Sequence, residues 1–224
     1  MTTMNETTPA PQLSSDLLKM LFSIEGQTFD MEKGTVVTNA DSRVIYLSSD
    51  MIHSIYDTLK YEAGDAWSLI LKNCGVVWGK RINRSLEKEL QLEGRQQVGS
   101  LAVDSYLKLL ESYFSSHGWG KLRIYMDDAE SHGIVRVSLL NSLFAQTLKD
   151  KHEPVDFMIA GMLQSIFSDI SSYDLRCIQV SYQYSGNNCS EFLISEPARI
   201  AALEQVQLHD LSIDDVLAQL RVTG

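Results

Sequence analysis

The sequence predicts an α+β fold: an antiparallel sheet with helices packed on one face. Three observations carry this. Strand-like runs come in pairs joined by short polar turns, the pattern of hairpins and not of βαβ crossovers. Segments with apolar residues at helical spacing separate the pairs. One such segment, 155–170, is apolar around most of its surface and therefore belongs at the centre.

The elements follow in chain order. Residues 1–28 read as a Thr-, Pro- and Ser-rich arm with a short helix over 16–24, carrying Leu17, Leu18, Leu21 and Phe22 on one side. Strands 35–38 and 43–47 flank the turn 39–42. Ser48, Ser49 and Asp50 cap a helix with Ile52, Ile55, Tyr56 and Leu59 in helical register, and Gly64 breaks or bends it. A second helix presents Trp67, Ile70, Leu71, Cys74, Val77 and Trp78 and runs on through the charged stretch 80–93. A loop is expected over 94–99. A third helix covers 101–114 and stops at His117-Gly118-Trp119-Gly120.

Strands 122–126 and 134–139 then surround the acidic turn 127–130, and a short helical piece covers 141–148. After the loop 149–153 comes the central helix, then strands 176–184 and 190–195 around the turn 185–188. A helix over 198–207 and an amphipathic stretch over 210–222, with Leu211, Ile213, Val216 and Leu220 on its apolar side, follow. The domain proper is expected over 29–196 and an acidic helical tail over 197–224.

Bulk composition narrows the function. A net charge of −10 on 224 residues gives no basic footprint for nucleic acid and no attraction to an anionic lipid surface. No apolar run approaches the ~20 residues of a membrane span, and the first residues carry no leader pattern, so a cytoplasmic protein is expected. Cys74, Cys177 and Cys189 are too few for a disulfide framework, although the last hairpin leaves a labile Cys177–Cys189 bridge open.

The usual catalytic patterns are missing. The five histidines form no HExxH pair, no GxSxG elbow occurs, and the glycines form no phosphate-binding loop. Asp127, Asp128 and Glu130 lack the spacing of a calcium loop and read as a solvated turn. His117 stands at a helix end beside Trp119 and two glycines, where either a ligand or the helix dipole explains it. Phe157, Met158 and Gly161 on the central helix either pack tightly or leave an apolar pocket where Ala160 and Gly161 lack bulk. The candidate ligand-binding residues are thus Trp78, Tyr113, His117, Trp119, Tyr125, Phe157, Met158 and Gly161, with no catalytic residue among them.

Three stretches resemble the 4-vinyl reductase domain family. They are Phe29-Asp30-Met31-Glu32-Lys33-Gly34 with Arg43-Val44-Ile45-Tyr46-Leu47-Ser48-Ser49-Asp50; Leu59-Lys60-Tyr61-Glu62-Ala63-Gly64-Asp65-Ala66-Trp67 with Ile70-Leu71-Lys72-Asn73-Cys74-Gly75; and Phe157-Met158-Ile159-Ala160-Gly161-Met162-Leu163 with Tyr184-Ser185-Gly186-Asn187-Asn188-Cys189-Ser190-Glu191-Phe192. The resemblance implies a fold shared with nitric-oxide sensors and TRAPP-type tethering subunits, a homodimer, and a small hydrophobic or tetrapyrrole-like ligand. It points to a non-enzymatic accessory protein binding a chlorophyll-type tetrapyrrole in photosystem II assembly or chlorophyll biogenesis, peripheral to the thylakoid through photosystem assembly proteins. A scaffold with a filled core, docking a partner through the tail, is the alternative, and a tetrapyrrole-reducing enzyme ranks third. The family's Glu-x2-Cys-x7-Cys zinc pattern would require Glu at Ile178 and Cys at Ser181, so only Cys189 matches and no metal is expected.

Overall fold

The computed structural model describes residues 13–22, 26–38, 41–92, 101–182, 189–204 and 212–222. The expected loop 94–99, the turn 185–188, Leu211 and most of the arm 1–28 lie outside the described residues. The strands form two antiparallel sheets. A small meander holds β1 (Gln27–Asp30), β2 (Thr35–Thr38) and β3 (Arg43–Val44). The main sheet has the order β4-β5-β7-β6, from β4 (Lys121–Tyr125), β5 (Val135–Leu140), β6 (Arg176–Ser181) and β7 (Cys189–Ser195).

In the meander, β1 has no counterpart among the expected strands. Asp30 makes a tight turn by accepting the Lys33 amide at 2.9 Å, with Gly34 at φ 62, and this folds β1 onto β2. β3 stops at Val44, short of the expected Leu47. Beyond it the chain leaves the sheet to reach Ser48, whose hydroxyl accepts the Met51 amide and caps α2 (Ser49–Ala63). Gly64, at φ 52, ends α2, and a 3-10 turn over Gly64–Ala66 leads into α3 (Trp67–Leu92).

Beside the short helices α1 (Ser15–Leu21) and α5 (Ala129–His132), the main helical layer is α3, α4 (Val103–Ser116) and α7 (Phe157–Ser171). Alternation along the strands sends Val137, Leu139, Phe192, Ile194 and Cys177 into the core with these helices. Glu111 of α4 accepts the Ile124 amide at 3.1 Å, a side-chain partner for a backbone donor on edge strand β4. α3 and α7 meet through glycines. A Cβ at Gly75 would stand under 3.0 Å from the Met158 carbonyl, and one at Gly161 equally close to the Lys72 carbonyl. Side chains normally hold packed helices ~8–10 Å apart; here backbone approaches backbone.

The opposite sheet face has its own apolar cluster. Ile134, Val180 and Leu193 are covered by α8 (Pro197–Leu203) and α9 (Ile213–Val222) through Ile200, Leu203, Val216, Leu217 and Leu220. This explains why β7 is buried from Ser190 through Ser195 and does not alternate. Val216 and Leu220, on the apolar side of the tail, pack on the sheet, and Arg221 clamps Asp128 with bonds of 2.8 and 2.7 Å.

β6 carries a bulge. Gln179 pairs with Phe192 and Ser181 with Glu191, so Val180 is extra and the ideal alternation from Cys177 to Ser181 breaks. Gln179 keeps its place on the core side and donates to Asp156 at 3.3 Å. No helix among the described residues is long and apolar enough to cross a membrane.

Candidate functional site

A cavity of about 560 Å³ lies between α2, α3, α4, α6 (Leu143–Thr147) and the meander. From α3 it takes Leu71, Cys74, Trp78, Ser85 and Glu89, spaced by three, four, seven and four residues and hence on one helical face. Ile52 and Tyr56 of α2, Leu148 after α6, and Met158 of α7 extend the apolar wall.

The end of α4 supplies the rest. Gly118, at φ 74, lets the Trp119 amide bond back to the Phe114 carbonyl at 3.0 Å, a Schellman stop. The stop swings Trp119 into the wall, where it meets Trp78 edge-on at 4.9 Å and Phe144 at 6.1 Å. It also leaves His117 as the C-cap residue, its ring 4.0 Å from that of Tyr113.

The polar groups cluster at this end. His117 Nδ1 lies 2.9 Å from the Tyr113 carbonyl. A carbonyl only accepts, so the proton sits on Nδ1 and Nε2 carries the lone pair. The ring keeps accessible surface, but it lines a cavity walled by protein; the lost bulk solvation lowers its pKa and keeps the imidazole neutral at pH 7. Burial, then the charge of Glu89, pushes the Tyr113 hydroxyl up to about 12. Burial likewise raises the Glu89 carboxyl, against a hydrogen bond from Thr38.

Five of the eight residues singled out in the sequence line this cavity: Trp78, Tyr113, His117, Trp119 and Met158. Three lie outside the lining. Tyr125 sits under the Arg136 guanidinium, 5.0 Å from its ring, on β4. Phe157 packs edge-on against Trp67 at 5.1 Å. Gly161 is taken up by the backbone contact with Lys72, so its missing side chain admits a helix and leaves no pocket. Glu89 was hidden in a charged stretch that reads as solvated, although its spacing from Trp78 and Ser85 places it on their face.

The cysteines behave as three separate groups. Cys177 pairs across the sheet with Ile194, five positions along from Cys189, or about 17 Å at strand rise. That separation rules out the bridge left open by the sequence, and the two thiols cannot share a zinc ion. Among the described residues, no group of three or more His, Cys, Asp or Glu side chains could hold a metal. Burial pushes the Cys177 thiol up to about 12 and Cys189 up to about 11. Cys74 is accessible and lines the cavity. A maleimide on the native protein is therefore expected to label Cys74 first and Cys177 only after unfolding, and a bound ligand is expected to slow the first reaction. Peptide mapping by mass spectrometry checks this; equal labelling of Cys74 and Cys177 in the native state would contradict the packing described.

No protein-family model matches the chain, and no curated protein sequence matches it. Solved structures do. The chain is similar to the phenol-responsive sensory domain of the transcription activator PoxR, solved with phenol, at TM-score 0.62 and 14% identity over 95% of this chain and 99% of that one. It is also similar to a vinyl-4-reductase family protein from Methanocaldococcus jannaschii, at TM-score 0.45 and 18% identity over 68% and 83% of the two chains. A third is trafficking protein particle complex subunit 3 from Naegleria fowleri, covalently bound to palmitic acid, at TM-score 0.46 and 13% identity over 66% and 93%. The α+β fold is that of the sensory domain over nearly the whole of both chains.

Proposed function

We propose that this domain binds one apolar small molecule in the cavity between α3, α4 and the meander, and acts as an accessory or sensory module without chemistry of its own. The observation that carries the reading is the cavity: about 560 Å³, aromatic and aliphatic walls, and polar groups gathered at one end. The fold it shares with a sensory domain solved with phenol supports it. Size argues for a larger ligand than phenol, because a cavity of about 150 Å³ already takes benzene. A filled-core scaffold is disfavoured by that volume and by the tail helix packing on its own sheet.

Among larger ligands the sequence resemblance favours a chlorophyll-type tetrapyrrole, bound by a homodimer that works in photosystem II assembly near the thylakoid. His117 suits it: Nδ1 is held by a carbonyl, the arrangement that orients an imidazole whose Nε2 faces a metal or a ring donor. Native mass spectrometry of protein from its own source, with a visible spectrum, tests both levels. A dimer mass, one small molecule per chain and a visible band are expected. A colourless protein that carries another apolar molecule removes the tetrapyrrole. A ligand-free protein that also leaves an apolar dye unbound removes the cavity reading altogether.

A further inference from the structure

The ends of the cavity are chemically unequal. Ile52, Leu71, Leu148 and Met158 make one end apolar. The rest of the wall carries Glu89 of α3, whose charge acts on Tyr113, and Tyr113 and His117 of α4, their rings 4.0 Å apart, with the edge of Phe22 at 6.0 Å from Tyr113 and 6.4 Å from His117. Tyr113 is only 7% exposed, and its hydroxyl bonds to none of the described residues. The hydroxyl is not sealed inside the protein, so its proton and lone pairs are open to a group that enters the cavity.

The identity of that partner follows from donors and acceptors. Glu89 accepts, His117 Nε2 accepts, and the Tyr113 hydroxyl both donates and accepts. A ligand carboxylate or phosphate beside Glu89 would face a like charge in a medium of low dielectric, and the Tyr113, Ser85 and Ser116 hydroxyls of the lining carry no charge to offset it. A ligand hydroxyl or amine would give its proton to Nε2 or Glu89, and a hydroxyl oxygen would also accept from Tyr113. Arg43 is the cation lining the cavity, and it sits exposed on β3.

We propose that the Glu89–Tyr113–His117 end selects a non-anionic head group that donates a hydrogen bond, a hydroxyl or an amine, carried on an apolar body larger than one ring. This rests on the cavity-binding reading above and adds a rule of selection to it: neutral or cationic heads enter, free acids do not.

Two probes with the same body decide it. Pyrenebutanol and pyrenebutyrate differ only in the head, and energy transfer from Trp78 and Trp119 reports their binding. The alcohol is expected to bind at least about tenfold more tightly. Tyr113→Phe should weaken the alcohol by about three- to tenfold. Glu89→Gln should strengthen the acid by about tenfold and close the gap. Unfolding midpoints of both variants confirm that each is folded. Equal affinities, or a gap that Glu89→Gln leaves intact, overturn the head-group assignment while the cavity reading stands. Tighter binding of the acid that is lost in Arg43→Ala overturns it too and moves the head to β3. If neither probe binds, both readings fall together.

Discussion

Gly161→Ala is expected to remove most of the stability of this domain. The added methyl would stand under 3.0 Å from the Lys72 carbonyl oxygen, with the Lys72 carbonyl carbon and the Val76 amide behind it. All three are backbone atoms of α3, so no side chain can rotate away. Relief requires α3 and α7 to separate, and the contact is reciprocal, because Gly75 faces the Met158 carbonyl in the same way. Overpacking commonly costs ~1–3 kcal/mol, and a clash of two backbones belongs above that range. Folded domains hold only ~5–15 kcal/mol. Urea unfolding measures the loss, with Gly133→Ala as reference. Gly133 has φ 64 and open space around its Cβ position, so that change is expected to cost about 1 kcal/mol through the backbone alone. An equal cost at Gly161 would mean that the crossing can open. A partly separated crossing would also move Leu71 and Met158, so any folded remnant is expected to bind the cavity probes poorly.

The second large effect is expected at Asp156. This residue precedes α7, is fully buried, and accepts from Ser190 at 2.5 Å, from Gln179 at 3.3 Å and from the Ser142 hydroxyl. It ties four segments of the core together: the start of α6, the start of α7, β6 and β7. Asp156→Ala would leave up to three buried donors unpaired, on the order of 4 kcal/mol of stability. The acid also gives stability a pH dependence. Burial raises its pKa above the ordinary 3.8 despite three hydrogen bonds that lower it, and no cation is among its partners. The native state therefore holds a proton that the unfolded chain releases. This contribution is fully present below about pH 4 and is lost as pH rises through the folded pKa. Asp156→Asn keeps a neutral side chain at every pH, so wild type should lose stability relative to it between pH 4 and 8. Paired urea titrations across that range read the difference, and a constant gap would show that Asp156 titrates as it does in the unfolded chain.

Much of the architecture could be read locally. Ser48 caps α2 where its hydroxyl and neighbours predict, Gly64 ends the helix, and 155–170 occupies the centre because it is apolar around most of its surface. Hairpins with short turns gave the antiparallel sheet. What escaped was of another kind. β1 depends on a turn held by the Asp30–Lys33 contacts. The β6 bulge depends on where Gln179 must reach. The closeness of α3 to α7 had a signal in the Gly75-x3-Gly79 spacing opposite Gly161, a small-residue pattern of tight helix pairs.

For the candidate site the division is similar. Aromatics beside a helix stop were visible in Trp119 and His117, since Gly118 announces the stop. Glu89 and Cys74 could be assigned only once α4 and the meander showed which face of α3 is hollow. Helical period, capping and turn chemistry act over a few residues, so the chain carries them in its local order: an α+β domain with one mostly apolar helix and no catalytic motif. The hollow, the chemistry gathered at one end of it and the intramolecular use of the tail arise between residues tens of positions apart. Which neighbours meet there depends on how closely two backbones approach, and that distance belongs to the packed whole.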